Sequence, residues 1–360
     1  MARAHNFSAG PAVLPESVLL QLQKDIWEAG NSGMGILECS HRGAMFEGRL
    51  ADTKDRLRRL LALSEDQEVL FMHGGARTQF FQWPMNVLRG GRATYLDTGI
   101  WAAGAIEDAR RFGTVDVPFS SKASRYDHVP TANSWGELPA GTKYLHYTSN
   151  NTVAGTEFHY MPDVPEGVWR VCDMSSNFLS RPIDGSKFDM IYAGAQKNAG
   201  PSGVTIVVLR KSLLAEMDPN LPAMLRYGVA VENNSMYNTP STFAIHTVGL
   251  VAQWIEETGG VAAMEARNIA KADRLYAALS KGGWQLPVRA DSRSRMNVRF
   301  STGTPEGDDA FVKAAKAAGL TELKGHRSIG GLRASIYNSQ TTAAIDALVE
   351  FIGSYAPMHA

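Results

Sequence analysis

Cysteine is almost absent from this 360-residue chain, which contains only Cys39 and Cys172. Two cysteines are too few for a disulfide framework, and their separation is not that of a zinc site. We therefore expect both thiols to be reduced and buried, and we expect no metal site. An excess of charge is also missing, because 36 basic and 36 acidic residues cancel. A net charge of zero gives no indication of the basic surface that is typical of nucleic-acid-binding proteins.

Long hydrophobic runs are absent as well. No apolar stretch approaches the length of a membrane span, and residues 1–5 lead into no signal-type segment. The sequence thus predicts a cytoplasmic protein without membrane partners. What is present is 44% hydrophobic and 20% charged residues, over a length that suffices for a large and a small domain.

The most informative stretch of the chain surrounds Lys197. An apolar segment at 190–193 leads through small residues to this lysine, which lies in a Gly- and Pro-rich turn before a second apolar segment at 204–209. The link is too short for a parallel crossover, so we expect the second strand to run antiparallel to the first. A lysine held at a strand end can form a Schiff base with an aldehyde cofactor. For this lysine alone, an ordinary surface turn is the simpler interpretation.

A carboxylate stands in a similar position upstream. The strand-like segment 168–172 is followed by Asp173 and two serines. A carboxylate at a strand end can pair with a protonated pyridine nitrogen and keep a cofactor electron-withdrawing. Taken singly, Asp173 would be read as a cap or turn residue. Asp173 and Lys197 at successive strand ends favour a cofactor site.

A candidate phosphate site follows the first predicted strand, at 69–72. Residues 73–79 contain a Gly-Gly turn and precede a helical run, so free backbone N–H groups there could hold a phosphate. This signal is weak alone, since it has neither the P-loop lysine pattern nor a dinucleotide fingerprint. A non-catalytic nucleotide- or phosphate-binding protein could use the same turn.

The order of the predicted elements indicates an α/β fold. Strand-like segments at 69–72, 93–96, 114–117, 144–147 and 168–172 alternate in part with helical ones, which favours a mostly parallel sheet with covering helices. The first predicted helix, 15–29, has a spacing that places Val18, Leu19, Leu22 and Ile26 on one face. Beyond about residue 258 the pattern changes to a small α+β unit. We therefore predict an extended segment at 1–15, a large cofactor domain at 16–257 and a small domain at 258–360.

Several separated motifs, in order, resemble a known family. The lysine segment 193–198 is similar to that of the class V, fold type I pyridoxal-phosphate aminotransferases. Segments 6–15, 40–42 and 325–335 narrow the resemblance to the phosphoserine aminotransferase family, over residues 6 to about 355. The resemblance implies a large domain with a seven-stranded-type sheet, a small α+β domain, and pyridoxal phosphate as the cofactor.

The resemblance also implies roles for individual residues. Lys197 would carry the cofactor and act as general base and acid, and Asp173 would pair with the ring nitrogen. The other implied cofactor contacts are Ala76, Arg77, Trp101, Thr152, Ser175, Gln196, Asn238 and Thr239. Within this set Trp101 would stack on the ring and Thr152 would bond its phenolic oxygen. Asn238 and Thr239 would reach the cofactor phosphate of a neighbouring subunit, which implies a homodimer with composite active sites.

The implied reaction is ping-pong amino transfer between glutamate and 3-phosphohydroxypyruvate, giving phosphoserine in serine biosynthesis. A related step of vitamin B6 synthesis, 4-phosphohydroxythreonine formation, is a further option. Arginine offers two-pronged hydrogen bonds to carboxylate and phosphate. The implied substrate-binding residues are His41, Arg42, His326, Arg327 and Arg333. Of these, Arg42 would hold glutamate's carboxylate, and His41, His326 and Arg327 would surround the phosphate.

One position departs from the family pattern, and two other classes of enzyme share the fold. Position 9 is Ala where some members have Ser, so Ser8 or backbone N–H groups would have to contact glutamate there. A class V cysteine desulfurase needs a nucleophilic cysteine late in the chain, and none follows Cys172. Alanine–glyoxylate-type aminotransferases share the fold, but their substrates give no reason for an additional phosphate-binding His-Arg pair.

Overall fold

The computed structural model describes residues 3–132 and 134–355. The ends of the predicted outer segments, 1–2 and 356–360, therefore lie outside the described residues. The strands are β1 (His5–Asn6), β2 (Gln67–His73), β3 (Arg92–Asp97), β4 (Thr114–Ser120), β5 (Thr142–Thr148), β6 (Asn150–Asn151), β7 (Thr156–Glu157), β8 (Trp169–Asp173), β9 (Met190–Gly194), β10 (Val204–Arg210), β11 (Asn297–Phe300), β12 (Leu320–Thr321) and β13 (Leu332–Ser335). The α-helices are α1 (Glu16–Trp27), α2 (Ala44–Leu60), α3 (Arg77–Val87), α4 (Ile100–Ala109), α5 (Tyr227–Glu232), α6 (Thr242–Glu257), α7 (Gly260–Lys281), α8 (Pro305–Ala317) and α9 (Thr342–Ser354).

A seven-stranded sheet forms the centre of the described chain, in the order β2-β10-β9-β8-β5-β3-β4. The pairs from β9 through β4 are parallel, whereas β10 is antiparallel to both β9 and β2. The predicted mostly parallel sheet and the antiparallel strand after Lys197 are confirmed. The connection from β9 to β10 acts as a short reversal because it is too short to hold a crossover helix.

Burial on both faces explains the continuous apolar runs of the central strands. Every residue of β9 is buried, and β10 is buried except for its last residue. A strand covered on both faces by helices needs apolar side chains at every position rather than at alternate ones. The polar residues that carry chemistry are consequently found where these strands end.

Helix α1 buries only part of the apolar face that its spacing predicts. Val18 and Leu22 are buried, but Ile26 is 47% exposed. The face that turns inward continues through Asp25, whose carboxylate lies 2.6 Å from Nε2 of His246 in α6. On its buried face the helix thus makes a polar contact through Asp25, and the side chain of Ile26 lies outside that face.

The C-terminal elements have a hydrophobic cluster of their own. It includes residues of α7, β11, α8, β13 and α9, together with Phe7 from the N-terminal segment. That segment pairs through β1 with β12 in parallel register. The predicted domain boundaries at residues 15 and 257 stay a prediction.

Within residues 3–132 and 134–355, no helix is long and apolar enough to cross a membrane. No group of three or more potential metal ligands is found in the same part of the chain. Cys39 and Cys172 are free and buried, as predicted.

Candidate active site

Lys197 lies in the reversal between β9 and β10. Backbone hydrogen bonds close this turn, from Ala195 N–H to the Val204 carbonyl at 3.1 Å and from Gly200 N–H to the Ala195 carbonyl at 2.8 Å. The N-terminal segment packs against the lysine, since a Cβ on Gly10 would lie only 3.3 Å from Lys197 Cγ. The amine is therefore held by its surroundings rather than free in solvent.

The lysine amine donates a 2.7 Å hydrogen bond to Thr152 Oγ1. Burial lowers the pKa of Lys197 from its ordinary value of 10.5 to about 8. The negative charge of Asp173 opposes this shift, and the positive charge of Arg333 adds to it. Roughly a tenth of the amine is thus neutral at pH 7, far more than for an ordinary lysine, and this neutral form can act as a nucleophile or proton acceptor.

Asp173 ends strand β8 and is 5% exposed. Its Oδ1 accepts a 2.9 Å hydrogen bond from the backbone N–H of Ser175. Burial raises the pKa of the Asp173 carboxyl, while the charge of Lys197 and the hydrogen bonds of Ser175 oppose that rise. Two nearby groups thus favour the ionised carboxylate at a site where burial disfavours it.

Thr152 links the lysine to an arginine from the C-terminal elements. Its hydroxyl accepts from Lys197, and its carbonyl accepts a 3.3 Å hydrogen bond from Arg333 Nη1. Arg333 lies in β13 and is partly buried, and burial lowers its pKa. One threonine therefore connects the amine to a guanidinium, although 181 residues separate Thr152 from Arg333.

Trp101 lies in the first turn of α4, directly after β3. The preceding Gly99 allows a close approach, because a Cβ there would lie 2.4 Å from Asn151 Oδ1. Asn151 is held in turn by a 3.1 Å hydrogen bond to Thr98. The indole Nε1 of Trp101 is buried without a hydrogen-bond partner among the described residues.

Ser175 and Gln196 lie beside the lysine and the aspartate. The hydroxyl of Ser175 accepts a 3.1 Å hydrogen bond from Gly194 N–H. Gln196 passes so close to the backbone that a Cβ on Gly194 would lie 2.7 Å from its Oε1. That Oε1 atom is buried and has no partner in the described part of the chain.

The predicted phosphate loop is found at the start of α3. Ala76 is the N-cap and Arg77 the first helical residue. Gly74 adopts the left-handed backbone conformation, with φ of +86°, which lets β2 turn sharply into the helix. The first N–H groups of a helix have no acceptor within it, so this start can bind an anion.

Four predicted residues are not brought to Lys197 within the chain. Arg42 is exposed, and its side chain makes no hydrogen bond or ion pair in the described residues; His41 beside it is partly buried, with Nε2 unpartnered. Asn238 and Thr239 are exposed in the loop before α6. None of the four is hydrogen-bonded to the lysine or its neighbours, among residues 3–132 and 134–355.

His326 and Arg327 form a turn on the Arg333 side of the site. Ser328 Oγ lies 2.7 Å from His326 Nδ1. Burial lowers the pKa of His326, and the positive charges of Arg333 and Arg327 add to the effect. Arg327 is exposed, and no described residue offers its side chain a hydrogen bond or ion pair. This turn thus carries one open cationic group, the guanidinium of Arg327.

Two residues that support this site, Asn198 and Tyr337, have no predicted role. Asn198 Oδ1 accepts a 2.9 Å hydrogen bond from the backbone N–H of Asn338, and Tyr337 donates through its hydroxyl to the Ala9 carbonyl at 2.7 Å. Both contacts attach the segment after β13 to the neighbourhood of Lys197. Their positions in the sequence could have indicated this role, because Asn198 follows the lysine and residues 337–338 follow the motif at 325–335.

Comparisons with known proteins agree on one family. The class-V aminotransferase family matches residues 4–348. A phosphoserine aminotransferase from Nitrosomonas europaea is 45% identical and covers 100% of both chains. The solved phosphoserine aminotransferase from Bacillus circulans subsp. alkalophilus is 46% identical with a TM-score of 0.94, covering 97% of each chain. A structure of the pyridoxal-phosphate-bound enzyme from Trichomonas vaginalis is 38% identical with a TM-score of 0.92, covering 97% of this chain and 99% of that one. The chain belongs to the class-V aminotransferases and, within them, to the phosphoserine aminotransferase family.

Proposed function

We propose that this chain transfers an amino group between glutamate and 3-phosphohydroxypyruvate, with pyridoxal phosphate as its cofactor, and so makes phosphoserine. The observation that carries the proposal is the contact of Thr152 with both Lys197 and Arg333, at 2.7 and 3.3 Å. It joins a reactive amine to an anion-binding group at the edge of the sheet. The phosphoserine aminotransferases of about 45% identity support the choice of substrate.

The described residues fit pyridoxal phosphate. The site offers an amine of lowered pKa and a buried carboxylate, in Lys197 and Asp173. It also offers buried polar atoms without a partner within the described chain, on Trp101 and Gln196. We place the cofactor phosphate at the start of α3, against the N–H groups of residues 76–77. The indole of Trp101 would then stack on the ring, and Ser175 and Gln196 would lie beside it.

When bound, the cofactor supplies an electron sink for the electrons freed at the substrate α-carbon. Lys197 Nζ would take the proton from that carbon as general base and then donate it as general acid to the cofactor carbon C4′, and its lowered pKa favours the first of these roles near neutral pH. Thr152 orients the amine by accepting its hydrogen bond, and the threonine proton stays free for the phenolic oxygen of the ring. Asp173 holds a proton on the ring nitrogen by charge attraction.

The substrate anions are assigned to arginines and histidines. We assign Arg333 and Arg42 to carboxylates, because a guanidinium offers two parallel donors to a planar anion. His41, His326 and Arg327 are assigned to the phosphate end. The open side chains of Arg42 and Arg327 support these roles, since neither is used by a protein partner among the described residues.

The test is an assay of amino transfer from glutamate to 3-phosphohydroxypyruvate, with the dephosphorylated keto acid as the control. We expect rapid transfer to the phosphorylated acceptor and much slower transfer to the control. Equal rates with both acceptors would contradict the phosphate specificity. Activity in the vitamin B6 step stays a prediction, which an assay of 4-phosphohydroxythreonine turnover can test. A cytoplasmic location also stays a prediction, and cell fractionation can test it.

We further propose a homodimer in which Asn238 and Thr239 reach the cofactor phosphate of the partner chain. Their exposure supports this, as does the lack of any side-chain hydrogen bond to them in the described residues. Thr239→Glu should inactivate by setting a carboxylate against that phosphate, whereas Lys197→Ala removes the amine of its own chain.

Refolding an equal mixture of these two inactive variants tests the shared site. Half of the dimers should be mixed, and each mixed dimer has one site with both defects and one with neither. About a quarter of all sites should then be active, for an ordinary two-fold dimer. No recovery, with mixed dimers demonstrated by mass, would mean that Thr239 serves its own chain.

A further inference from the structure

Arg299 in β11 is a buried arginine without a protein partner. It is 9% exposed, and no described residue offers its guanidinium a hydrogen bond or an ion pair. Arg170, which is 8% exposed, provides a contrast, because its guanidinium donates to the carbonyls of Pro162 and Lys187. Burying a charged donor without an acceptor is costly, so the position of Arg299 requires an explanation.

The pairing of β11 with β13 makes the burial of Arg299 still less favourable, because it places a second arginine beside it. Arg299 lies directly opposite Arg333 in the antiparallel β11–β13 pair, so both side chains leave the same face of the sheet. This face is turned toward the loop 152–155. A Cβ on Gly155 would lie 3.0 Å from Arg299 Cβ, and Arg333 donates to the Thr152 carbonyl. Like charges directly opposite one another destabilise such a pair, unless an anion lies near them.

Arg299 opens into a cavity of about 590 Å³. Two exposed arginines, Arg125 and Arg327, line the same cavity, as does His326. Neither exposed guanidinium has a side-chain partner among the described residues. Burial lowers the pKa of Arg299, and the charge of Arg125 lowers it further, so the two guanidiniums repel each other.

The carboxylates of the cavity are already used by the protein. Asp308 accepts from the Thr302 amide at 2.8 Å, Asp309 pairs with Lys324 at 2.8 Å, and Asp127 pairs with Arg289 at 3.3 Å. The guanidiniums of Arg299, Arg125 and Arg327 are therefore the charged groups of the cavity that have no hydrogen bond or ion pair among the described residues.

We propose that Arg299 and Arg125 form a phosphate-binding subsite in this cavity, beside the His326–Arg327 turn. A phosphate dianion suits it better than a carboxylate, because its oxygens can accept from guanidiniums that come from separate elements. The phosphate has two possible sources, the phosphorylated end of the substrate or free inorganic phosphate. Only the first source rests on the proposed function.

The test measures binding of inorganic phosphate to the holoenzyme by calorimetry, in a phosphate-free buffer at low salt. Arg299→Gln should weaken binding at least tenfold, and Arg125→Gln should weaken it to a smaller extent. The matched control is Arg274→Gln, which removes an exposed arginine of α7 that pairs with Asp346 of α9 and does not line the cavity. Because Arg125 is exposed, its variant keeps the test valid if Arg299→Gln does not fold.

Steady-state kinetics separates the two sources. If the substrate phosphate occupies the subsite, inorganic phosphate competes with the phosphorylated keto acid, and Arg299→Gln raises KM for that acid but not for glutamate. If free phosphate is the ligand, it binds equally well when the substrate is saturating. Unchanged phosphate affinity in both variants would overturn the inference. Because binding requires no turnover, this result is independent of the proposed reaction.

Discussion

The two sides of the active-site cleft use their charged residues differently. On the sheet side, Lys197 donates to Thr152 and Asp173 accepts from Ser175, so each charged group has a partner within the chain. On the side of β11 and β13, Arg299 and Arg327 have none within the described residues. The two reactive groups of the sheet side are held by protein partners, whereas two guanidiniums of the other side are left open.

This difference separates reactivity from recognition. Groups already held in place need no reorganisation when charge develops on a reacting molecule, which suits the sheet side to chemistry. Unpartnered guanidiniums gain most when an anion arrives, which suits the other side to selecting substrates. Asn150 connects the two, because its Nδ2 donates to Ser176 Oγ and to Asn297 Oδ1, both at 2.8 Å.

The largest effect is expected on the sheet side. Lys197→Ala should abolish turnover and the visible absorption of the bound cofactor, because no other described group can replace this amine. The fold should persist, since the lysine side chain makes a single hydrogen bond to Thr152. Lys187→Ala, which changes an exposed lysine paired with Asp184, is the control. Normal activity in Lys197→Ala would refute the assignment of the sheet side to chemistry.

Asp173→Asn should bind the cofactor but lose roughly a hundredfold or more in turnover, the range for one preorganised electrostatic group. A neutral amide no longer favours a protonated ring nitrogen. Single-turnover kinetics should find both half-reactions slowed, and exposed Asp184→Asn should behave as wild type. Turnover close to that of wild type would leave Asp173 with a structural role only.

A substitution on the arginine side should act on one substrate only. Arg327→Leu removes a charge-assisted hydrogen bond worth roughly 1.5–3 kcal/mol, so affinity for the phosphorylated keto acid should fall about ten- to a hundredfold. The glutamate half-reaction should change little. If single-turnover measurements find both half-reactions weakened equally, Arg327 does not serve the phosphate end.

A buried lysine away from the cleft should affect stability rather than recognition. Lys271 is 5% exposed and donates to the carbonyls of Ile336, Tyr337 and Gln340. Lys271→Met leaves these acceptors unsatisfied, and the free energy of unfolding should fall by roughly 1–3 kcal/mol. Denaturant titration measures this, with exposed Lys281→Met as the control. An unchanged midpoint would mean that the carbonyls find other donors.

The smallest effect is a shift in the pH at which Lys197 reacts. Labelling of the cofactor-free protein by an amine reagent should rise with pH, with its midpoint at about 8, because only the neutral amine reacts and burial lowers its pKa. Asp173→Asn should move the midpoint to lower pH, since the carboxylate raises this pKa. Arg333→Gln should move it to higher pH, since the guanidinium lowers it. Peptide mass spectrometry measures the midpoints, and shifts in the same direction would contradict the opposed charges.

Prediction from the sequence succeeded best where local pattern and packing agree. The apolar runs around Lys197 predicted two strands and their antiparallel relation, because a short link leaves no other choice. The apolar face of the first helix is only partly buried, with Ile26 exposed, because helical spacing alone does not reveal that Asp25 pairs with His246 across the fold. Arg299 was overlooked because one arginine in a short strand carries no local signal of burial.

The residue pattern by itself determined the α/β class, the strand ends that carry Asp173 and Lys197, and the resemblance to one family. These features depend on neighbours in the chain, whose periodicity and turn chemistry are visible in the residues. Tertiary structure alone decided that Thr152 meets Lys197 and Arg333, and that Arg299 is buried opposite another arginine. Contacts between residues more than a hundred positions apart depend on how strands and loops pack, and local sequence pattern does not encode that packing.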